Sequence, residues 1–213
     1  RALSLQDYRS HRYMGLIRNF IRLTPLVIFL VGASPAVCQC FMTGRDHHLF
    51  PLVRGTLYTP YSTALRMGRF GYQNSAQKQL GIHYNNLQDY LEGLQKAVRT
   101  PYKQFTRLGL DDANGQPIQI NDHVLQIENE YYSLVRPKQV PQEGETPSQA
   151  LQNRGIGYVE LRAVDVNPYS AIGINEDTAG FLEVVALYCL LQDSPALLDA
   201  EQEIIDQNQA EVV

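Results

Sequence analysis

The sequence predicts an α+β chain, on three observations. Residues 158–163 place Val159, Leu161 and Ala163 in alternation with Tyr158, Glu160 and Arg162, the period of a strand with two unlike faces. Residues 124–132 repeat that alternation, with Leu125, Ile127 and Tyr131 set against Gln126, Glu128, Glu130 and Tyr132. Between and around these stretches, apolar residues recur at helical spacing behind capping residues and ahead of prolines.

Taken in order, the first element is a helix with Tyr13, Leu16, Ile17, Phe20 and Ile21 on one face, stopped by Pro25. Its arginines, Arg9, Arg12, Arg18 and Arg22, read as solvated. Leu26 to Val31 is apolar but interrupted by Gly32, Ser34 and Pro35, too short to span a bilayer, and reads as a buried core helix. His47 and His48 fall in a loop, where a metal role competes with the commoner reading of paired surface histidines. Thr59 to Arg66, Met67 to Phe70 and Gly71 to Asn74 have no clean period and read as a strand or short helix joined to binding loops. Asn85 or Asn86 caps a scaffold helix with Leu87, Tyr90, Leu91, Leu94 and Val98 as its stripe, closed by Thr100-Pro101. Asn114-Gly115 predicts a type I′ hairpin turn whose arm, Gln116 to Ile120, leads into the 124–132 strand. Thr146-Pro147 starts a short helix ending near Gly155. Asn167-Pro168 ends the central strand, and Asn175 caps a helix through Phe181, Leu182, Val185 and Tyr188. Ala200 to Val213 is acidic and reads as frayed.

Composition narrows the function classes. The chain has 213 residues, enough for one domain or a domain and a half, and 44% hydrophobic content supports a sizeable core. A net charge of -4 with no basic stripe argues against a nucleic-acid partner. The start at Arg1 and the stop at Val213 lead to the expectation of a piece of a longer protein. Three cysteines make no disulfide framework, and Cys38 and Cys40 have the wrong spacing for a zinc hook. They read as small buried hydrophobes in a reduced cytosol.

The chemistry concentrates on the central strand. A carboxylate and a guanidinium two residues apart, Glu160 and Arg162, suit a metal–phosphate site. The carboxylate takes a hard cation and the planar fork takes phosphate oxygens. The competing reading is an ion pair on a solvated face. Glu128 and Glu130 repel unless a cation or an arginine lies between them, and Arg136 and Lys138 follow as counter-charges. For Arg66 and Tyr72, ligand roles stand beside an ordinary surface arginine and a packing tyrosine.

Five motifs then occur in a fixed order: Gly32-Ala33-Ser34-Pro35-Ala36-Val37-Cys38; Tyr61-Ser62-Thr63-Ala64-Leu65-Arg66; Val124 to Glu130; Arg136-Pro137-Lys138; and Tyr158 to Arg162 through Asn167-Pro168. Together they resemble successive motifs of the proteobacterial glutamate–cysteine ligases, which catalyse the first step of glutathione synthesis. The resemblance runs through nearly the whole chain and covers only a central section of that family's protein. The amino-terminal part, which in the family supplies metal-binding carboxylates and a histidine, lies outside it, as does the carboxy-terminal part.

The resemblance implies a fold related to glutamine synthetase: a curved antiparallel sheet with flanking helices, incomplete here. Residues 1–213 would be the central part of a single catalytic domain. It implies an ATP-dependent ligase in which glutamate is phosphorylated on its side-chain carboxylate and the amine of cysteine attacks the acyl phosphate; the alternatives are a non-catalytic module or relic of the same fold, or a related carboxylate–amine ligase with another amine. Mg²⁺ or Mn²⁺ is the implied cofactor and ATP a co-substrate. Glu160 is the implied metal ligand, Arg162 and Arg66 the catalytic arginines holding phosphate or substrate carboxylate, and Tyr72 and Tyr132 the walls of a cysteine pocket. Glu128 and Glu130 stay open. The implied partners are glutamate, cysteine and ATP, with no nucleic acid and no membrane, in the cytoplasm. These residues alone are expected to be inactive, since one carboxylate holds Mg²⁺ weakly.

Overall fold

The computed structural model describes residues 3–68, 71 and 80–213. The fold is α+β, as the sequence predicts: six helices and five short strands are defined among the described residues. They form two compact units interleaved along the chain. One comprises Arg1–Arg18, Asn74–Glu160 and Asp193–Leu197; the other comprises Asn19–Gln73, Leu161–Gln192 and Leu198–Val213.

Helix α1, Leu5–Val31, contributes to both units. The expected stop at Pro25 does not occur, because the proline lies inside the helix. A proline supplies no N–H to the carbonyl four residues back, here that of Ile21. The buried Thr24 hydroxyl donates to that carbonyl at 2.7 Å and replaces the missing donor. As one 27-residue helix, α1 is long and apolar enough to cross a membrane by length and composition, although more than half of its apolar window is buried inside the protein. The second part is not uniformly buried either. Val27 and Ile28 are enclosed, whereas Leu26, Phe29 and Leu30 are exposed.

In the first unit, helix α2, Leu87–Ala97, begins at Asn86, whose side chain accepts from the Asp89 N–H at 2.8 Å. Tyr90, Leu91, Leu94 and Ala97 form its buried stripe. A short helix α3, Lys103–Leu108, follows. The Asp112–Gln116 turn forms, with the Gly115 N–H on the Asp112 carbonyl at 3.0 Å. Only Gly115 has positive φ, at 75°, so the turn is not the type I′ expected. The Asp112 carboxylate explains this by accepting from the Asn114 and Gln116 N–H groups, which closes the loop locally without flanking strands. Residues 124–132 are likewise no strand: Glu128–Glu130 is a 3₁₀ turn. The paired strands are β4, Val135–Lys138, and β5, Tyr158–Leu161. Helix α4, Pro147–Arg154, lies between them in sequence and opens on a full capping box of Thr146 and Gln149.

Arg18 is a further correction. It is 4% exposed rather than solvated, and donates to the carbonyls of Tyr84, Asn85 and Ser194 and to the Ser194 hydroxyl. A guanidinium carries five donors, and carbonyl oxygens meet them here in place of water.

In the second unit, β1 (Ala36–Cys38), β2 (Phe50–Val53) and β3 (Thr56–Tyr58) form an antiparallel sheet in the order β1-β3-β2. Its register pairs Val37 with Leu57, and Pro51 with Leu57 on the other side, with an irregularity between Pro51 and Val53. Met42, Leu49, Leu57 and Leu65 form the core beneath, with Val37 against it. Cys38 and Cys40 are exposed and joined as a disulfide across the start of the Gln39–Met42 turn, contrary to the buried, reduced reading. Cys189 is the buried free thiol. Asn175 caps helix α5, Glu176–Leu191, as expected. The acidic tail is not frayed: it is helix α6, Asp199–Val212. Arg22 holds it through a two-pronged pair with Glu201 at 2.6 and 2.9 Å, so Arg22 is not simply solvated either. The Ser62 hydroxyl and the Thr63 N–H both donate to the Val213 carbonyl.

Candidate functional site

The boundary between the two units falls after Glu160. The candidate residues therefore form two groups.

The first group surrounds β4 and β5. Glu160 lies on β5, one residue before its end. Its Oε2 is buried without a hydrogen bond, and Lys138 Nζ on β4 approaches that oxygen at 3.7 Å. A carboxylate oxygen lacking a hydrogen-bond donor is a suitable ligand for a cation. Glu128 is committed elsewhere: its two oxygens accept from the N–H and the hydroxyl of Ser148 in the first turn of α4. That is a favourable place for a carboxylate, because the helix end presents unpaired N–H groups. Glu130 accepts from the Gln126 N–H at 2.6 Å. The expected counter-charge roles of Arg136 and Lys138 toward these two acids are not what forms: Lys138 faces Glu160, and Arg136 donates to the Asn129 carbonyl. Among the described residues no three His, Cys, Asp or Glu side chains converge as a metal site.

Tyr132 is half-buried, just beyond the 3₁₀ turn. Its neighbour Tyr131 enters a buried aromatic cluster with Tyr84 and Tyr90. The Tyr84 and Tyr131 hydroxyls are 3.1 Å apart, and the Tyr84 and Tyr90 rings 5.3 Å. Burial pushes all three phenols upward, Tyr90 and Tyr131 strongly. The charges of Glu128 and Glu160 add to the rise at Tyr90, and that of Arg136 opposes it. Tyr72 lies outside the described residues.

The second group follows the central strand. That strand ends at Leu161, earlier than residue 163 expected from the alternation, so Arg162 stands one residue past its end, half-buried. Arg66 is in a 3₁₀ turn, Leu65–Met67, and donates from Nε to Asp165 Oδ1 at 2.6 Å. Its Nη2 donates to the carbonyls of Arg162 and Val164 at 3.2 and 2.9 Å. Asp165 is 7% exposed, and its Oδ2 accepts from the Ala33 N–H and the Ser34 hydroxyl. Burial pushes its carboxyl up, but the bonds from Ser34, Ala33 and Arg66 together outweigh this and hold it below the usual range. Gly32 permits the close approach of Thr63 to the end of α1: a Cβ there would lie 2.6 Å from the Ile28 carbonyl and 3.0 Å from Thr63. Residues 164–168 and 170–174 line an open hollow beside Asp165.

Asp165 is the residue that sequence reasoning passed over. An acid set between Val164 and Val166, two residues after Ala163, was the available signal. It joins the Gly32–Ser34 motif, Arg66 and the Arg162–Val164 backbone, three of the stretches on which the resemblance rests.

Comparison with known proteins agrees with these motifs. The glutamate–cysteine ligase family model matches residues 1–212. The glutamate–cysteine ligase of Saccharophagus degradans is 46% identical over 212 residues, covering 99% of this chain and 40% of that protein. The Hahella chejuensis enzyme is 47% identical over 204 residues, covering 96% and 39%. Among solved structures, the Francisella tularensis glutamate–cysteine ligase in complex with AMP matches with a TM-score of 0.88 at 38% identity, covering 99% of this chain and 41% of that one. A bifunctional glutathione synthetase from Pasteurella multocida shares the fold, with a TM-score of 0.65 at 24% identity. The chain thus spans about 40% of the length of the curated relatives it matches.

Proposed function

The chain belongs to the glutamate–cysteine ligase family, and from that premise we propose that the protein containing it couples ATP cleavage to formation of an amide between glutamate and cysteine. The observation that carries this reading is the family match over residues 1–212, joined to an unsatisfied buried oxygen on Glu160 within the matched motif.

The reaction has two steps. A side-chain carboxylate oxygen of glutamate attacks the γ-phosphorus of ATP, and ADP leaves. The amine of cysteine then attacks the acyl carbon, inorganic phosphate leaves, and the amine proton passes to solvent or a base. Negative charge builds on phosphate oxygens in the first step and on the carbonyl oxygen in the second, so positioned cations and donors lower both barriers.

Each residue has a part in that scheme. The fit of a divalent cation to these residues is partial. Glu160 offers one oxygen, and Glu128 and Glu130 are engaged by Ser148 and Gln126. Bound at Glu160, Mg²⁺ or Mn²⁺ would neutralise triphosphate charge, with further ligands supplied from beyond these residues. Arg162 binds anionic oxygens. Arg66 does so with a guanidinium whose plane is preset by Asp165 and two carbonyls, which removes the entropy of orienting it at the moment of reaction. Tyr132 and Tyr72 are the residues we assign to recognition of the small polarisable side chain of cysteine. The cytoplasm, where ATP and free cysteine occur together, is the site of the reaction.

The test is Glu160→Gln in the full-length protein, assayed for cysteine-dependent phosphate release at saturating Mg²⁺. Loss of one metal ligand is expected to lower turnover by about 100-fold or more, with unchanged melting. Turnover within a few-fold of the parent would remove Glu160 from the site. Absence of cysteine-dependent turnover in the parent would refute the ligase reading.

A further inference from the structure

The buried charge on β4 has no assigned purpose. Arg136 is 7% exposed, yet it forms no ion pair among the described residues. Its Nη2 reaches the Asn129 carbonyl at 3.3 Å, and its guanidinium carbon lies 5.8 Å from the Tyr131 ring centroid. Its Nε is buried with no acceptor. Arg18 shows what a structural buried arginine looks like in the same unit: four hydrogen bonds to fixed oxygens. Arg136 has one long bond and a weak ring contact.

Its surroundings point the same way. Two residues along the strand, Lys138 leans toward Glu160, whose Oε2 is the other buried charged atom without a hydrogen bond here. Arg136 and Glu160 lie on the paired strands β4 and β5, with Arg136 beside the Tyr131 ring of the aromatic cluster. Arg136 is buried with an unfilled donor and is not paired with Glu160, whose side chain is part-exposed and turned to Lys138, so the free N–H of Arg136 is available to an anionic ligand. An enclosed guanidinium is expensive to keep unpaired, and a carboxylate or phosphate oxygen satisfies it in a planar fork.

We propose that Arg136 is a substrate-binding residue that receives an anionic oxygen, a carboxylate or a phosphate, beside Glu160. This rests on the ligase reading above. Arg136 touches substrate through Nε, while its Nη2 stays on the Asn129 carbonyl and keeps the group in place.

Two variants of the full-length protein test it. Arg136→Gln keeps a donor for Asn129 and removes the charge; Arg136→Lys keeps the charge and removes the fork. Michaelis constants for ATP, glutamate and cysteine are measured together with ligand-free melting. For Arg136→Gln, the constant for one substrate is expected to rise about tenfold or more, the value of one charge-assisted hydrogen bond. Arg136→Lys falls between it and the parent. A rise confined to ATP identifies the anion as phosphate; one confined to glutamate or cysteine identifies it as a carboxylate. Ligand-free melting is expected to hold or increase, because an unpaired buried charge has been removed. Unchanged constants, an equal rise for all three, or loss of folding in both variants would overturn the proposal. An active parent with unmoved constants overturns Arg136 alone, whereas an inactive parent overturns the ligase reading and this with it.

Discussion

Asp165→Asn is the perturbation whose cost follows most directly from the geometry. Oδ1 accepts from Arg66 Nε at 2.6 Å, and Oδ2 accepts from the Ala33 N–H at 2.9 Å and the Ser34 hydroxyl at 2.6 Å. Every neighbour is a donor. An amide replaces one oxygen with a second set of donors, so one side of the site must face N–H against N–H. Keeping the oxygen toward Ala33 and Ser34 is the less costly choice and sacrifices the Arg66 bond. A charge-assisted hydrogen bond contributes about 1.5–3 kcal/mol. The Arg66 side chain is 31% exposed, so water recovers part of its share. The expected loss is about 2 kcal/mol, or a fall in Tm of about 4–8 °C for a protein of this size. Urea unfolding at constant m measures it. The pH dependence supplies an internal control. The folded pKa lies below the ordinary 3.8, so the stabilisation is complete above that value and is lost as pH falls beneath it. Parent and variant should therefore converge in acid. A difference under about 0.5 kcal/mol near neutral pH, or one that persists in acid, would show that this carboxylate does not hold the site together.

Two further outcomes are expected. Thr24→Val should cost about 1–3 kcal/mol, because the Ile21 carbonyl then meets neither the hydroxyl nor a Pro25 N–H; adding Pro25→Ala should recover most of it, and chemical denaturation of both variants decides the matter. The Glu145 carboxyl is held down to about 2, first by the Arg154 guanidinium and next by the Gln142 N–H. Its stabilisation is thus complete above 4.5 and fades as pH drops from 4.5 to about 2. An NMR titration of Glu145 with its midpoint at an ordinary carboxylate value would contradict the pairing.

What the sequence determined by itself was local. Asn86, Thr146 and Asn175 were legible as caps because a capping bond spans three residues and needs nothing distant. The strand at 158–161 was legible because period two survives when one face is covered. The ordered motifs identified the family, since five stretches in one order carry more information than any single spacing. Tertiary structure decided everything that turns on a partner far along the chain. The helix passes through Pro25 because a neighbouring hydroxyl replaces the lost donor, a detail the strength of a proline signal conceals. The 124–132 alternation was real but did not make a strand, because Glu128 finds its partners on Ser148 of α4 and Glu130 on the nearby Gln126 N–H. Arginines that look alike in sequence took three roles. Arg18 is saturated by carbonyls, Arg66 is clamped by Asp165, and Arg136 is buried with an unfilled bond. Side-chain type specifies how many bonds a group needs, and only the folded chain specifies whether they are supplied.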